Sequence, residues 1–240
     1  MNGENSKIGS VNRLSSLFKE CSQTYSFLGR VYEREVTAEF LNEVAEKNLK
    51  ILKSKRLQMI QDEELRKGLK MFSQYLENLE RNSLKQACLE LAVDYASLFL
   101  GVKRLPHPPE SAYKAGYMMG PFEENVLQEY RDAGVDVKPE FNEPADHIAA
   151  ELHFAGHLCQ KAADALSENR KNEVEEYLKR LSNFLEKHLL SWIPLLTENI
   201  LRTSETDFYK SIAVITKRFV ELNKALTDYS LKNLNADKAV

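Results

Sequence analysis

The feature that most restricts the fold is a helical spacing of apolar residues near the start of the chain. Seven of them are separated by alternating steps of three and four positions, which places all seven on one side of an α-helix. They are Val11, Leu14, Phe18, Cys21, Tyr25, Leu28 and Tyr32. Gly29 lies inside this stripe, and we interpret it as a point of close contact between helices rather than a break. The segment therefore predicts one long amphipathic helix.

The same periodicity continues along the chain, and no segment shows the alternation that is typical of a β-strand. Thr37 and Asp62 precede apolar stripes at positions suited to helix caps. A short helical piece is predicted from Glu110 to Lys114, and Pro121 is suited to the first turn of the next helix. With only nine glycines and seven prolines, the sequence predicts an all-α protein of roughly nine to ten helices and no β-sheet.

Two irregular stretches near the middle of the chain, rich in proline and glycine, predict a division into helical bundles. We expect a central hinge there, where a groove between bundles is a common place for a binding site. The predicted parts are a disordered N-terminus at 1–8, an N-terminal bundle at 9–101, a hinge and loop region with one helix at 102–143, a C-terminal bundle at 144–229 and a frayed tail at 230–240.

Composition excludes several classes of function. The net charge is -3, and the basic residues are spread among acids, so we expect no nucleic acid as a partner. The chain has no apolar run long enough to span a membrane and no secretory signal at its start, so stable membrane insertion is not expected. Its three cysteines are far apart in sequence, which favours a reducing cytoplasm. Phosphate-binding glycine loops and serine-nucleophile motifs are missing, so we expect no bound cofactor and no enzymatic activity.

The densest polar cluster extends from residue 142 to residue 157. Local chemistry predicts a helix start here, with Glu143 near the cap and Pro144 in the first turn. Asp146 would then complement the positive end of the helix dipole, and the same dipole would keep His147 neutral and able to donate and accept hydrogen bonds.

The cluster also has the spacing of a metal site, which is the alternative interpretation. Its acids and histidines recur at intervals of four residues on two faces of the predicted helix, and such pairs can chelate zinc or iron. The residues of this alternative, a helical metalloprotein, are His147, Glu151, His153 and His157.

A second cluster ends one helix and begins another after a proline-rich loop. It contains Leu98, Phe99, Pro109 and Ser111. These residues fit an ordinary core and turn, or an apolar groove that accepts a peptide with nearby acids for its basic residues.

The order of these clusters resembles the TorD/DmsD/NarJ family of cytoplasmic chaperones for molybdoenzymes. The segments are residues 94–101 (DYASLFLG), 106–113 (PHPPESAY), 128–134 (QEYRDAG) and 142–152 (NEPADHIAAEL), with 25–32 (YSFLGRVY) before them and 188–194 (HLLSWIP) after. The family's acid–x–Pro–x–Asp–His signature is present as Glu143 to His147, without the residue between acid and proline. Lys103 stands where family members often have tryptophan.

The resemblance implies a TorD-like helical bundle that can exchange halves between two copies, giving a domain-swapped homodimer. It also implies binding of the twin-arginine leader of a molybdoenzyme and retention of the apo catalytic subunit until its cofactor is inserted. The leader-binding positions it implies are Leu98, Phe99, Pro109, Ser111, Glu143, Pro144, Asp146 and His147.

Overall fold

The computed structural model describes residues 2–52, 61–79, 83–101, 106–116 and 120–238 of the 240-residue chain, without the side chains at 2–8, 10, 47–52, 235, 237 and 238. Lys103 lies outside these residues. The helices are α1 (Asn2–Glu33), α2 (Ala38–Leu52), α3 (Glu63–Leu79), α4 (Leu84–Phe99), α5 (Glu110–Lys114), α6 (Pro121–Asp132), α7 (Ile148–Ser167), α8 (Lys171–Phe184), a π-helical segment (Leu185–Leu189), α9 (Leu190–Thr203) and α10 (Asp207–Lys238).

The all-α prediction is confirmed, because the described residues form helices and no strand. Within the described residues, the β-type pairing is one isolated antiparallel bridge between Pro109 and His147. None of the helices in the described part of the chain is long and apolar enough to cross a membrane. Helix α1 begins at Asn2 and α10 ends at Lys238, so both extend over segments for which the sequence predicts disorder or fraying.

Several helix boundaries follow from the local chemistry that predicts them. The Leu65 N–H donates to Asp62 Oδ1 at 2.8 Å, and the Phe40 N–H donates to Thr37 Oγ1 at 3.3 Å. Both side chains therefore cap helix starts, as predicted. Helix α5 has the predicted limits, and Pro121 occupies the first turn of α6.

The chain forms two compact units, and each is assembled from segments that are distant in sequence. The first unit comprises residues 1–30, 109–191 and 220–240, and the second comprises residues 31–108 and 192–219. Helices α1, α9 and α10 each contribute residues to both units. The predicted division at residues 101 and 144 follows local composition and stays a prediction.

The core of the first unit depends on two glycines that let α1 and α7 approach closely. A Cβ at Gly29 would lie 2.8 Å from ring atoms of His153, and one at Gly156 would lie 3.0 Å from Tyr25 Cβ. The interpretation of Gly29 as a close contact is therefore confirmed. Beside this contact the Tyr25 hydroxyl donates to Asn223 Oδ1 of α10 at 2.9 Å, which satisfies a polar group in the core.

The second unit is held by a buried carboxylate on α4. Asp94 is 2% exposed and accepts four hydrogen bonds from the turn between α9 and α10. The donors are the Ser204 hydroxyl (2.8 Å), the Glu205 N–H (3.1 Å), the Thr206 N–H (2.9 Å) and the Thr206 hydroxyl (2.6 Å). Since a carboxylate strengthens each bond that it accepts, Asp94 fixes this turn and the start of α10.

Candidate functional site

Two segments of the first unit that are far apart in sequence meet at the start of α7. The Ser111 N–H donates to Asp146 Oδ2 at 2.8 Å, across 35 positions of sequence. The Glu110 N–H donates to the Asp146 carbonyl at 2.9 Å, and Pro109 forms the isolated bridge with His147. We call residues 109–111 and 144–147 the junction. It brings together five of the eight implied binding residues, namely Pro109, Ser111, Pro144, Asp146 and His147.

The predicted position of the helix start at the junction is wrong. Helix α7 begins at Ile148, with His147 as its N-cap. Residues 144–147 form a turn closed by a bond from the His147 N–H to the Pro144 carbonyl at 3.0 Å. Asp146 thus precedes the helix and holds Ser111, instead of lying in the first turn as a partner of the helix dipole. Sequence spacing could not show this, because the deciding partner lies on α5.

His147 is neutral, as predicted, but burial is the main cause. The residue is 2% exposed, and burial lowers the pKa of its imidazole to about 3, since the charged form would lose its hydration. Its Nδ1 accepts a hydrogen bond from the Ala149 N–H at 3.1 Å. A neutral ring that accepts at Nδ1 carries its proton on Nε2, so His147 is a fixed cap with a defined tautomer.

Most of the junction is inaccessible to a partner unless it moves. Pro109, Ser111, Asp146 and His147 are all buried. Burial raises the pKa of Asp146, the bonds from Ser111 oppose that effect, and the nearby Glu123 and Glu110 add to it. The accessible groups around the junction are the exposed Glu143 and two half-buried residues, Pro144 and Phe141. The Phe141 ring meets the His147 ring edge to face, with centroids 5.8 Å apart.

Contacts from α6 hold the same turn from another direction. The Ala145 N–H donates to Glu123 Oε1 at 3.1 Å, and the Tyr130 hydroxyl donates to the Ala145 carbonyl at 2.9 Å. Tyr130 is buried and packs against Phe154 with centroids 4.6 Å apart. Hydrogen bonds to α6 therefore hold the turn on one side, and its direct connection to α7 holds it on the other.

Of the three remaining implied residues, Glu143 is exposed next to the junction, and Leu98 and Phe99 belong to the second unit. Leu98 is 1% exposed, so its side chain is core in this conformation. Phe99 is half-buried and contacts the rings of Tyr32, Tyr95 and Tyr209 edge to face, with centroids 5.1–5.9 Å apart. An edge-to-face arrangement of this kind fixes the Phe99 ring and leaves part of it accessible.

The structure does not bring together the residues of the alternative metal site. Across the described residues, the acidic and histidine side chains close enough to share one ion are Glu110, Glu151 and His188. His147 uses Nδ1 to cap α7, and the His153 ring packs against Gly29, which separates the predicted ligands. Sequence reasoning missed the real cluster because its members lie on α5, on α7 and in the π-helical segment.

Comparison with known proteins shows which family the chain belongs to. Residues 61–198, more than half of its length, match the family model described as nitrate reductase delta subunit. Three relatives are each named Chaperone protein TorD. The one from Aliivibrio fischeri is 26% identical over 216 residues, covering 89% of this chain and 97% of the relative. The one from Vibrio parahaemolyticus is 28% identical and covers 78% and 88%, and the one from Photobacterium profundum is 31% identical and covers 68% and 74%. The chain therefore belongs to the nitrate reductase delta subunit family, the TorD/DmsD/NarJ family that its motifs resemble.

Proposed function

We propose that this chain is a chaperone for molybdoenzyme maturation. It binds the twin-arginine leader of a molybdopterin oxidoreductase, and it holds the apo catalytic subunit until the cofactor is inserted. It acts by binding and not by catalysis, and it works in the cytoplasm, where the leader is still attached. The relatives that carry the name chaperone match most of its length, which supports this class of function.

The observation that carries the proposal is the bond between Ser111 and Asp146 at 2.8 Å. The two segments that resemble the family's binding motifs are distant in sequence, yet they form one buried junction. A junction fixed by a carboxylate, a bridge and a capping imidazole presents the same surface each time a partner arrives. Such preorganisation reduces the entropy lost on binding.

The chemistry of a twin-arginine leader suits the groups around this junction. The leader has a basic head, and the exposed Glu143 offers a carboxylate for bidentate contact with a guanidinium. Its apolar body fits Phe141 and Pro144 at the edge of the junction. We propose that Pro109, Ser111, Asp146 and His147 give this surface its shape, and the implied role of Leu98 and Phe99 in leader binding stays a prediction.

The proposed function is tested by producing the chain together with a molybdopterin oxidoreductase subunit from the same genome. The subunit is made with and without its leader, in cells that can and cannot make the cofactor. We expect a stable complex with the cofactor-free subunit, less complex when the leader is deleted, and release when the cofactor is present. Equal complex formation with the cofactor-loaded subunit would contradict the proposal.

Matched variants test the role of the surface. Glu143→Gln removes a charge next to the junction, and Glu140→Gln removes one from an exposed acid three residues earlier. We expect Glu143→Gln to weaken leader binding roughly tenfold, equivalent to about 1.4 kcal/mol, and Glu140→Gln to leave it unchanged. Equal effects of the two variants would show that only the net charge matters.

A further inference from the structure

Glu110 of the junction and two other buried side chains, Glu151 and His188, form a cluster with the donor atoms of a metal site. Glu110 and Glu151 are fully buried, and His188 is 6% exposed. One ligand atom from each residue lies within 4.8 Å of the other two, and His188 Nδ1 is 2.9 Å from Glu110 Oε2. The ligand atoms of a tetrahedral zinc site lie roughly 3.3 Å apart, given bonds of about 2.0–2.1 Å. The widest separation therefore has to shorten by roughly 1.5 Å at most, and the distance between His188 Nδ1 and Glu110 Oε2 has to lengthen by roughly 0.4 Å.

Each of the three residues lies on a different helical element, so the fold of the first unit brings the cluster together. Glu110 begins α5, and the Glu110 N–H is bonded to the Asp146 carbonyl at 2.9 Å. Glu151 is in the first turn of α7, where the helix dipole favours a carboxylate. His188 lies in the π-helical segment Leu185–Leu189, and π turns inside helices are frequent at functional sites.

The charges around the cluster favour a cation. The carboxyl groups of Glu110, Asp146 and Glu151 are fully buried. Burial is the main cause that raises the pKa of Tyr130, and these three groups add to it. Asp146 Oδ1, at 0% exposure, has no hydrogen-bond partner. Burial works to raise the pKa of Glu110, but the hydrogen bond and charge of His188, together with Lys114, lower it overall. Buried charges in proteins are paired or bind metal ions.

We propose that Glu110, Glu151 and His188 bind one zinc ion. Two carboxylate oxygens and one imidazole nitrogen form a donor set that suits zinc, and a water molecule would supply the fourth ligand. Lys114 forms an ion pair with the other oxygen of Glu110, which is the kind of outer contact that orients a carboxylate ligand. The ion would connect α5 and the π-helical segment to the first turn of α7, and its ligand Glu110 directly precedes Ser111, which bonds to Asp146. The proposal does not depend on leader binding.

The test is a metal titration of the full-length chain after its affinity tag has been cleaved and its metals removed with a chelator. Cobalt is added first and followed by its visible absorption, and zinc is then used to displace it. We expect one equivalent of cobalt, displaced by one equivalent of zinc, and no response to magnesium. A wild-type chain that binds no zinc or cobalt at low micromolar concentration would overturn the proposal.

Variants and a second measurement locate the ion. Glu151→Gln and His188→Gln should weaken zinc binding by more than the roughly 10–100-fold that the loss of an outer-shell partner costs. The control variants His157→Gln and Glu186→Gln change a half-buried histidine and an exposed acid, and they should leave the affinity unchanged. X-ray absorption on the zinc-loaded wild type checks the ligands even if a variant fails to fold. One imidazole with oxygen donors is expected, and sulfur or two imidazoles would overturn the assignment.

Discussion

Replacement of Asp94 by alanine should destabilise the second unit strongly. The variant removes the acceptor of four hydrogen bonds, two from backbone N–H groups and two from hydroxyls. The hydroxyls can turn to other acceptors, and the Ser204 hydroxyl already reaches the Thr206 carbonyl at 3.0 Å. We therefore count the two backbone bonds, each worth about 1.5–3 kcal/mol to a charged acceptor. The expected loss in the free energy of unfolding is about 3–6 kcal/mol.

Urea unfolding followed by circular dichroism measures this loss, and hydrogen exchange of the Thr206 and Tyr209 amides locates it. Glu90→Ala is the matched control, because Glu90 is an exposed acid one turn earlier on the same helix and accepts a hydrogen bond from the exposed Gln86. We expect the control to change stability by less than about 0.5 kcal/mol. Asp94→Asn keeps one acceptor oxygen and should lie between the two. An Asp94→Ala midpoint equal to that of Glu90→Ala would refute the reasoning.

Three further outcomes are expected. Gly29→Ala places a Cβ 2.8 Å from the His153 ring and should lower stability by about 1–3 kcal/mol. A Cβ added at Gly9 has no atom within 4 Å, so the control Gly9→Ala should not lower stability. Equal unfolding midpoints for the two variants would contradict the close contact at Gly29. Burial lowers the pKa of His147 from 6.5 to about 3, so the unfolded chain binds more protons between those pH values, and stability should fall as pH drops below 6.5. The variant His147→Asn keeps a cap acceptor and should flatten that part of the pH profile. An unchanged profile would exclude His147 as its source. Hinge exchange predicts a slowly exchanging dimer fraction that grows in acid or mild denaturant, and one concentration-independent species in light scattering would oppose it.

Periodicity was sufficient for the fold class and for several helix limits, because apolar stripes and caps are local. The stripe through Phe18, Tyr25 and Leu28 is buried on α1, and Asp62 caps α3. What local chemistry could not supply was the partner of a side chain on a distant helix.

The junction shows this limit clearly. Pro144 and Asp146 have the composition of a helix start, and that interpretation placed the start four residues too early. Asp146 is instead fixed by Ser111 on α5, a contact that no sequence period reports. Asp94 begins a segment that resembles a family motif, but the donors of its four hydrogen bonds lie in the distant α9–α10 turn, which no local pattern indicates. The buried Glu110–His188 pair was missed for the same reason.

The central claim, that this chain binds a twin-arginine leader, is tested most directly by isothermal titration of the purified full-length chain with a synthetic leader peptide. The account expects one leader per chain at roughly micromolar affinity, a value of about -8 kcal/mol that still permits release. Replacement of the two arginines by alanines should weaken binding at least roughly tenfold, and a peptide with only the apolar body changed should also bind less well. Absence of heat and of competition with every twin-arginine leader tried, or equal binding of the arginine and alanine peptides, would contradict it.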